Sequence, residues 1–148
     1  MKFKLIFLAL LFSMCSNVTQ EASNEIRVVS LSTTHTEIIQ SLEAEETLIA
    51  VDSFSEVDFP VEVIDAYTVT AEELAPLNPD VVILAFDFNG IVEGLQKQEI
   101  NYVLLPPAKN FEDVYSQIET IGSLVHKESE AFSTTRDMKI EINRILDN

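Results

Sequence analysis

Four hydroxyl side chains near the start of the chain are the residues whose types and spacing best suit ligand binding. They are Ser32, Thr33, Thr34 and Thr36, and they follow a β-branched run at residues 27–31. Such a run is typical of a strand buried on both faces, and the acidic residue and isoleucine pair that come next indicate the start of a helix. A strand-to-helix junction places hydroxyls and unpaired backbone N–H groups at the carboxyl edge of a sheet, where open α/β folds bind ligands. We therefore treat this stretch as a candidate ligand site.

Enzymatic chemistry is disfavoured by what the sequence lacks. Cys15 is the only cysteine, so the chain can form neither an intrachain disulfide nor a multi-cysteine metal site. Three glycines cannot supply a glycine-rich phosphate loop, and neither histidine lies in a motif with an acidic partner. An enzyme on a Rossmann-like sheet is the least favoured function, and we expect no cofactor and no resident metal.

The elements that must position the hydroxyl stretch alternate regularly along the chain. Apolar runs predict strands at residues 27–31, 47–51, 80–86 and 101–105, and residues 61–69 fit either an edge strand or an irregular linker. Helical spacing and capping patterns predict helices at residues 36–42, after Thr70, at 91–98, after Asn110 and at 129–146. This order predicts an α/β fold, a doubly wound parallel sheet of four to five strands, followed by a long carboxy-terminal helix.

The first 15 residues resemble an export signal, because Lys2 and Lys4 precede an apolar run at residues 5–14. That run is too short to span a bilayer, which needs roughly 20 apolar residues. Cys15 after it resembles the lipid-bearing residue of bacterial lipoproteins, although an ordinary signal or a buried amino-terminal helix also fits. We expect lipid attachment at Cys15, a polar tether over residues 16–25, and an exported protein in the periplasm or on the outer face of a bacterial membrane.

Composition indicates a globular, strongly acidic protein. Apolar residues make up 47% and charged residues 23% of the 148 residues, which is enough apolar material for one domain with a core. The formal net charge of −16 repels nucleic acid and anionic lipid, so we expect neither as a partner. Contact with the membrane is expected only through the lipid anchor.

The ordered set of local motifs resembles one family, the substrate-binding proteins of bacterial ABC importers for cobalamin, iron-siderophore chelates and haem. The matching pieces are residues 27–32 with 36–38, residues 48–51, residues 73–74 with 77–83, and residues 111–114 with 121–122. The chain departs from the family at Thr33, where proline is usual, and at Glu43, where glycine is common. The resemblance implies an amino-terminal binding lobe at residues 26–127 and a connecting helix at 128–148, with the second lobe absent.

The resemblance also implies that the loops after the strands face the ligand. It assigns hydrogen bonding to Ser32, Thr33 and Thr34, flat apolar contact to Phe54, Phe86 and Phe88, and further ligand contacts to Asp87 and Pro106. The alternative is that the hydroxyls only cap a helix and that the phenylalanines only close the core. His35 either ligates the metal of a haem or corrinoid or is simply solvated at the helix start.

Glu72 aligns with the acidic residue by which this family docks onto arginines of the membrane permease, although Glu73 beside it leaves the assignment open. The resemblance therefore implies two partners, a small-molecule metal chelate and an ABC permease. The expected function is the solute-binding component of an ABC importer, truncated to a single lobe, which captures a metal chelate and presents it to the permease. The alternative is a non-transport surface lipoprotein, or an inactive fragment, whose last helix pairs with another chain.

Overall fold

The computed structural model describes residues 25–147, and it is an α/β fold with a five-stranded sheet. The strands are β1 (Val28–Leu31), β2 (Leu48–Asp52), β3 (Glu62–Ile64), β4 (Val81–Leu84) and β5 (Tyr102–Leu104). The helices are α1 (Thr33–Ser41), α2 (Ala71–Leu74), α3 (Ile91–Lys97), α4 (Phe111–Leu124) and α5 (Glu128–Leu146). No helix in this described range is both long enough and apolar enough to cross a membrane. The predicted export signal, Cys15 and nearly all of the tether lie outside it.

Every strand pairing is parallel, and the strand order is β3-β2-β1-β4-β5. The chain first builds outward from β1 to β3 and then crosses to the other side of β1 to build β4 and β5. The order therefore reverses between β1 and β4, and open sheets of this kind bind ligands outside the carboxyl ends of the strands at such a switch point. The predicted parallel sheet is confirmed.

Successive side chains along each strand point to opposite faces of the sheet, so the hydrophobic core consists of two clusters, one on each face. One face carries Val28, Val51 and Ile83 and is covered by α1, α4 and α5. The other carries Val29, Val82 and Leu84 and is covered by α2 and α3. Because both faces are buried, the strands consist of nearly continuous apolar residues, which is why they were recognisable in the sequence.

The last helix, α5, packs antiparallel against α4 through Ala131 and Thr135, which are almost fully buried. Gly122 on α4 permits the close approach, because a Cβ atom there would lie 2.4 Å from the Cβ of Ala131. A tight turn at His126, with φ +59°, reverses the chain between the two helices. The predicted long carboxy-terminal helix is confirmed.

Local signals set most element boundaries. One helix start differs from the prediction, and one of the two alternatives left open for residues 61–69 is present. Thr70 and Glu73 form the predicted capping box, and the Asn110 side chain accepts a hydrogen bond from the Asp113 N–H as an N-cap. Helix α1, however, begins at Thr33, three residues before the predicted start, so that three of the four hydroxyl residues lie in it. The unassigned stretch 61–69 contains the short edge strand β3.

Candidate functional site

A pocket of about 230 Å³ opens at the carboxyl edge of the sheet, beside the switch point between β1 and β4. Segments that follow four different strands line it, and the lining residues are Leu31, Ser32, Thr33, Thr34, Asp52, Phe54, Ala66, Tyr67, Ala85, Phe86 and Phe88. Parallel strands end at one edge, so residues far apart in the chain converge there. The structure thus brings together six of the residues that the sequence analysis assigned to ligand contact, namely Ser32, Thr33, Thr34, Phe54, Phe86 and Phe88.

Four aromatic side chains form a continuous row along this pocket, which we call the aromatic row. Phe54 meets Tyr67 edge to face with ring centres 6.3 Å apart, Tyr67 lies 4.6 Å from Phe88, and Phe88 lies 5.2 Å from Phe86. Phe54, Tyr67 and Phe86 nevertheless expose 67%, 53% and 49% of their surface. Rings that pack on one another while remaining this exposed do not close the core, and they leave an apolar surface open to solvent. Ligand contact by Phe54, Phe86 and Phe88 stays a prediction.

The hydroxyl side of the pocket is formed by the start of α1. Ser32 is the N-cap residue by backbone position, yet its side chain makes no capping hydrogen bond. The alternative that this hydroxyl only caps the helix is therefore wrong for Ser32. Thr36, by contrast, is fully buried and hydrogen-bonds Ser30 and Ser55, which makes it a structural residue.

Asp52 is a buried carboxylate in the wall of the pocket. It ends β2, and its oxygens accept hydrogen bonds from the backbone N–H of Phe54 at 3.3 Å and of Ala66 at 3.2 Å, with the Thr33 hydroxyl at 3.5 Å. Three lining segments therefore meet at one side chain. A buried carboxylate needs such donors to offset its lost hydration, so Asp52 fixes the shape of the pocket.

His35 does not line the pocket. It is 2% exposed, and burial lowers the pKa of its imidazole from 6.5 to about 4, against a smaller raising effect of a hydrogen bond with the Leu105 backbone. Its Nδ1 atom has no hydrogen-bond partner among residues 25–147. The expectation that His35 is solvated is wrong, because α1 begins three residues earlier than predicted and turns the ring inward. Metal ligation by His35 stays a prediction and would require the ring to leave this position.

Asp87 and Pro106 also lie outside the pocket lining. The Asp87 carboxylate accepts a hydrogen bond from the Val92 N–H at 3.0 Å, at the start of α3. Pro106 lies beyond β5, where it borders a separate cavity of about 460 Å³ and its carbonyl accepts a hydrogen bond from Gln117 at 2.6 Å. Ligand binding by these two residues stays a prediction.

The structure separates the two acidic residues at the start of α2. Glu73 uses its carboxylate to accept hydrogen bonds from the Thr70 N–H and hydroxyl, and these bonds lower its pKa. Glu72 is exposed, and its charge reaches as far as Lys97, whose pKa it helps to raise. Of the pair, Glu72 is therefore the one available to a partner, although docking itself stays a prediction.

Five lining residues were not predicted from the sequence, and Asp52 and Tyr67 are the two that carry polar groups. Asp52 was placed at the start of a loop, whereas it is the last residue of a buried strand. Tyr67 lies within residues 61–69, for which the sequence left an edge strand and an irregular linker open. An acidic residue directly after a predicted strand is the signal that would have found Asp52, because such positions reach the carboxyl edge. The sequence held no equivalent signal for Tyr67, because it did not show where β3 ends.

A metal ion without a chelator has no evident site in the described part of the chain. No three His, Cys, Asp or Glu residues within 25–147 lie close enough together to hold one. The aromatic row instead suits a ligand with a broad apolar surface.

Comparisons with known proteins agree with this architecture. The model of a family described as periplasmic binding protein matches residues 28–146. No match to a curated protein sequence was found.

Solved structures with the same fold include three titled as iron or haem proteins. The haem-binding protein HutB of Vibrio cholerae has a TM-score of 0.72 and 25% identity over 83% of this chain and 50% of its own. A possible iron-binding protein of Staphylococcus epidermidis has a TM-score of 0.70 and 22% identity, over 83% and 51%. An Fe3+-hydroxamate transport protein of Saccharomonospora viridis has a TM-score of 0.62 and 20% identity, over 81% and 49%. The chain thus spans about half the length of each.

Proposed function

We propose that this chain, which belongs to the periplasmic binding protein family, is the amino-terminal lobe of an exported receptor that captures a metal chelate and presents it to an ABC permease. The observation that carries the proposal is the aromatic row, in which Phe54, Tyr67 and Phe86 are about half exposed or more in an open pocket at the switch point of the sheet. The proposal describes binding and delivery, with no chemical step.

The aromatic row suits a ligand with a flat or broad apolar face. Burying apolar surface contributes about 25 cal/mol per Å², and offset or tilted ring contacts add about 0.5–1.5 kcal/mol each. Haem, a corrinoid and a siderophore chelate all offer such surface. The hydroxyls of Ser32 and Thr34 lie in the same pocket and are suited to the polar rim of such a ligand.

The presence of Tyr67 in the pocket favours haem over a corrinoid or a siderophore chelate as the ligand. Haem iron is usually held by His, Cys, Met or Tyr, and of the described residues that line the pocket only Tyr67 belongs to that set. A siderophore already saturates its iron, so it would need the ring of Tyr67 but not the phenol oxygen. The Vibrio cholerae structure, whose title names haem, supports the first choice, and the Saccharomonospora viridis structure supports a hydroxamate as the second.

Titration of the secreted chain with hemin, a ferric hydroxamate and cyanocobalamin tests the proposal. Tyr67→Phe keeps the ring and removes the phenol oxygen, so hemin should bind about tenfold more weakly and with a shifted Soret band. The hydroxamate should bind Tyr67→Phe as it binds the wild type. Tyr102→Phe is the matched control, because the Tyr102 hydroxyl lies on β5 and hydrogen-bonds Gln96 instead. Absence of binding by all three chelates would contradict the proposal.

Docking to a permease is proposed for Glu72. An exposed carboxylate in the first turn of α2 suits pairing with an arginine, which sets orientation more than affinity. Glu72→Lys should abolish cross-linking to the permease, and a compensating Arg→Glu change in the permease should restore it. Glu130→Lys is the control, since Glu130 is likewise exposed in the first turn of a helix. Equal cross-linking of both variants would count against the assignment.

Export and lipid anchoring are proposed from residues 1–25. Cells labelled with a radioactive fatty acid should incorporate label into the wild type and not into Cys15→Ser. An unlabelled mature wild type would remove the anchor and leave an ordinary secreted receptor.

A second candidate is a non-transport surface lipoprotein that pairs with another chain through α5. It is favoured by Phe132, Ile140, Ile145 and Leu146, which are 60–76% exposed on that helix. Light scattering separates the two candidates. A concentration-dependent dimer that ignores all three chelates would support this one, and a chelate-binding monomer would support the receptor lobe.

A further inference from the structure

The backbone around Tyr67 is fixed by side chains from three separate segments. The N–H of Ala66 donates to Asp52 at 3.2 Å, and the N–H of Tyr67 donates to Asp65 at 2.9 Å. The Tyr67 carbonyl accepts a hydrogen bond from Nδ2 of Asn89 at 2.6 Å. Tyr67 is therefore held on both sides of its Cα, although its ring is 53% exposed and lies in a loop. Loops with exposed rings are ordinarily mobile, so this restraint calls for a reason.

Asn89 makes the contact that joins two lining loops of the pocket. It lies 22 residues from Tyr67, in the segment after β4, whereas Tyr67 lies in the segment after β3. The neighbouring Phe88 packs its ring 4.6 Å from that of Tyr67. One short segment thus supplies both the ring that packs on Tyr67 and the donor that holds its backbone.

Asparagine meets two requirements at position 89 that few other residues meet together. Its backbone has φ +53° and ψ +23°, a left-handed conformation that Asn tolerates better than other residues with a Cβ atom. Its partner is a carbonyl oxygen, which only accepts, so the side chain must donate. Glycine would meet the first requirement alone. Aspartate would also meet only the first, because its carboxylate would repel the carbonyl.

We propose that Asn89 is a positioning residue for ligand binding, which holds the Tyr67 ring in the pocket without touching the ligand. The inference rests on the proposed function for its effect on affinity, and Asn89 itself is not among the lining residues. With the Tyr67 backbone held by Asn89 and its ring packed on Phe88, less conformational freedom is lost when the ligand arrives, so the restraint increases affinity.

A double-mutant cycle with hemin as the probe tests this role. Asn89→Gly removes the donor and keeps the left-handed backbone, and it should weaken hemin binding about fivefold in the wild-type background. In a Tyr67→Ala background the same change should alter affinity less than about twofold, because no ring remains to be positioned. Asn101→Ala is the matched control, since Asn101 makes a similar bond to the Asp80 carbonyl at 3.1 Å, at the opposite edge of the sheet.

A second measurement needs no ligand. The chain has no tryptophan and three tyrosines, so a variant with Tyr102→Phe and Tyr115→Phe fluoresces from Tyr67 alone. Asn89→Gly and Asn89→Asp should each lower the fluorescence anisotropy of Tyr67 in that variant, whereas Asn101→Ala should leave it unchanged. Circular dichroism would verify that the variants remain folded.

The outcomes separate this inference from the proposed function. Unchanged Tyr67 anisotropy in Asn89→Gly, or an equal loss of affinity with and without the Tyr67 ring, would overturn the positioning role alone. Lower anisotropy in a protein that ignores hemin would support the positioning of Tyr67 while contradicting haem as the ligand. Lower anisotropy together with a loss of affinity that depends on Tyr67 is the expected result.

Discussion

The two edges of the sheet differ in how far their polar side chains form hydrogen bonds and in how exposed their apolar side chains are. At the amino edge, Arg27 donates through its side chain to the carbonyls of Leu77 and Asn78, and its N–H donates to Asp80. Asn101 adds a bond to the Asp80 carbonyl. At the carboxyl edge, Ser32 leaves its helix uncapped by a side chain, and the aromatic row remains exposed.

We infer from this difference that the amino edge of the lobe contributes mainly to stability and the carboxyl edge mainly to ligand binding. At the amino edge, long-range hydrogen bonds tie the loops to one another and contribute to holding the sheet together. At the carboxyl edge, hydrogen bonds such as those of Asp52 and Asn89 hold rings in exposed positions. Substitutions at the amino edge should therefore change stability, and substitutions in the aromatic row should change binding.

The largest expected effect is a loss of stability in acid, which comes from His35. It is an exception to the contrast between the edges, because His35 lies near the carboxyl edge and yet affects stability. His35 has a pKa of about 4 in the folded chain against 6.5 in the unfolded chain, so the unfolded chain takes up the proton first. Above pH 6.5 the imidazole is neutral in both the folded and the unfolded chain, so its contribution to stability is fully present. As the pH falls from 6.5 to 4, the unfolded chain is protonated before the folded chain, and stability is lost. The loss should reach about 3 kcal/mol at pH 4, measured by urea unfolding across this range.

Replacing each histidine in turn isolates this contribution, because the chain has only two. His35→Gln should flatten the acid dependence relative to the wild type. His126→Gln, at an exposed turn, should leave that dependence unchanged. Parallel pH profiles for the wild type and His35→Gln would show that burial of this imidazole does not limit stability in acid.

A smaller effect is expected from the middle of the aromatic row. Phe88 contacts both Tyr67 and Phe86, so Phe88→Ala removes two ring contacts and part of the apolar surface offered to the ligand. Chelate affinity should fall about tenfold. The urea midpoint should fall by less than for a fully buried phenylalanine, because Phe88 is only partly buried and loses two ring contacts. Phe132→Ala removes an exposed ring from α5 and should leave affinity unchanged. A large loss of stability without a loss of affinity would erase the contrast between the edges.

The smallest effect is expected at the amino edge. Arg27→Met retains the aliphatic part of the side chain and removes the bonds to the Leu77 and Asn78 carbonyls. Because Arg27 is exposed, unfolding free energy should decrease by only about 1 kcal/mol, with no change in chelate affinity. Weaker binding by this variant would mean that the two edges are coupled.

The sheet was predictable because its determinants are local. Apolar runs such as 81–84 mark strands buried on both faces, and Thr70 and Asn110 mark helix starts through side chains three residues from their partners. The hydroxyl stretch and three phenylalanines of the pocket were predictable for the same reason, since they lie at or just after the ends of recognisable strands.

The rest of the site depends on contacts between distant segments, for which no local pattern exists. Asp52 acquires its role from donors at Phe54 and Ala66, and Tyr67 is oriented by a residue 22 positions away. The burial of His35 was not predictable, because it depends on where α1 begins and on packing near the Leu105 backbone, both of which are properties of the assembled fold.

Mapping a bound chelate onto backbone amide signals by NMR would show which edge of the sheet binds it. We expect hemin, or a gallium hydroxamate if hemin does not bind, to perturb the amides of Ser32–Thr34, Phe54, Tyr67 and Phe86–Phe88 at the carboxyl edge. The amides of Arg27, Asp80 and Asn101 at the amino edge should remain unchanged. Perturbations confined to the amino edge or to α5, or none at saturating chelate, would show that the carboxyl edge is not the binding site.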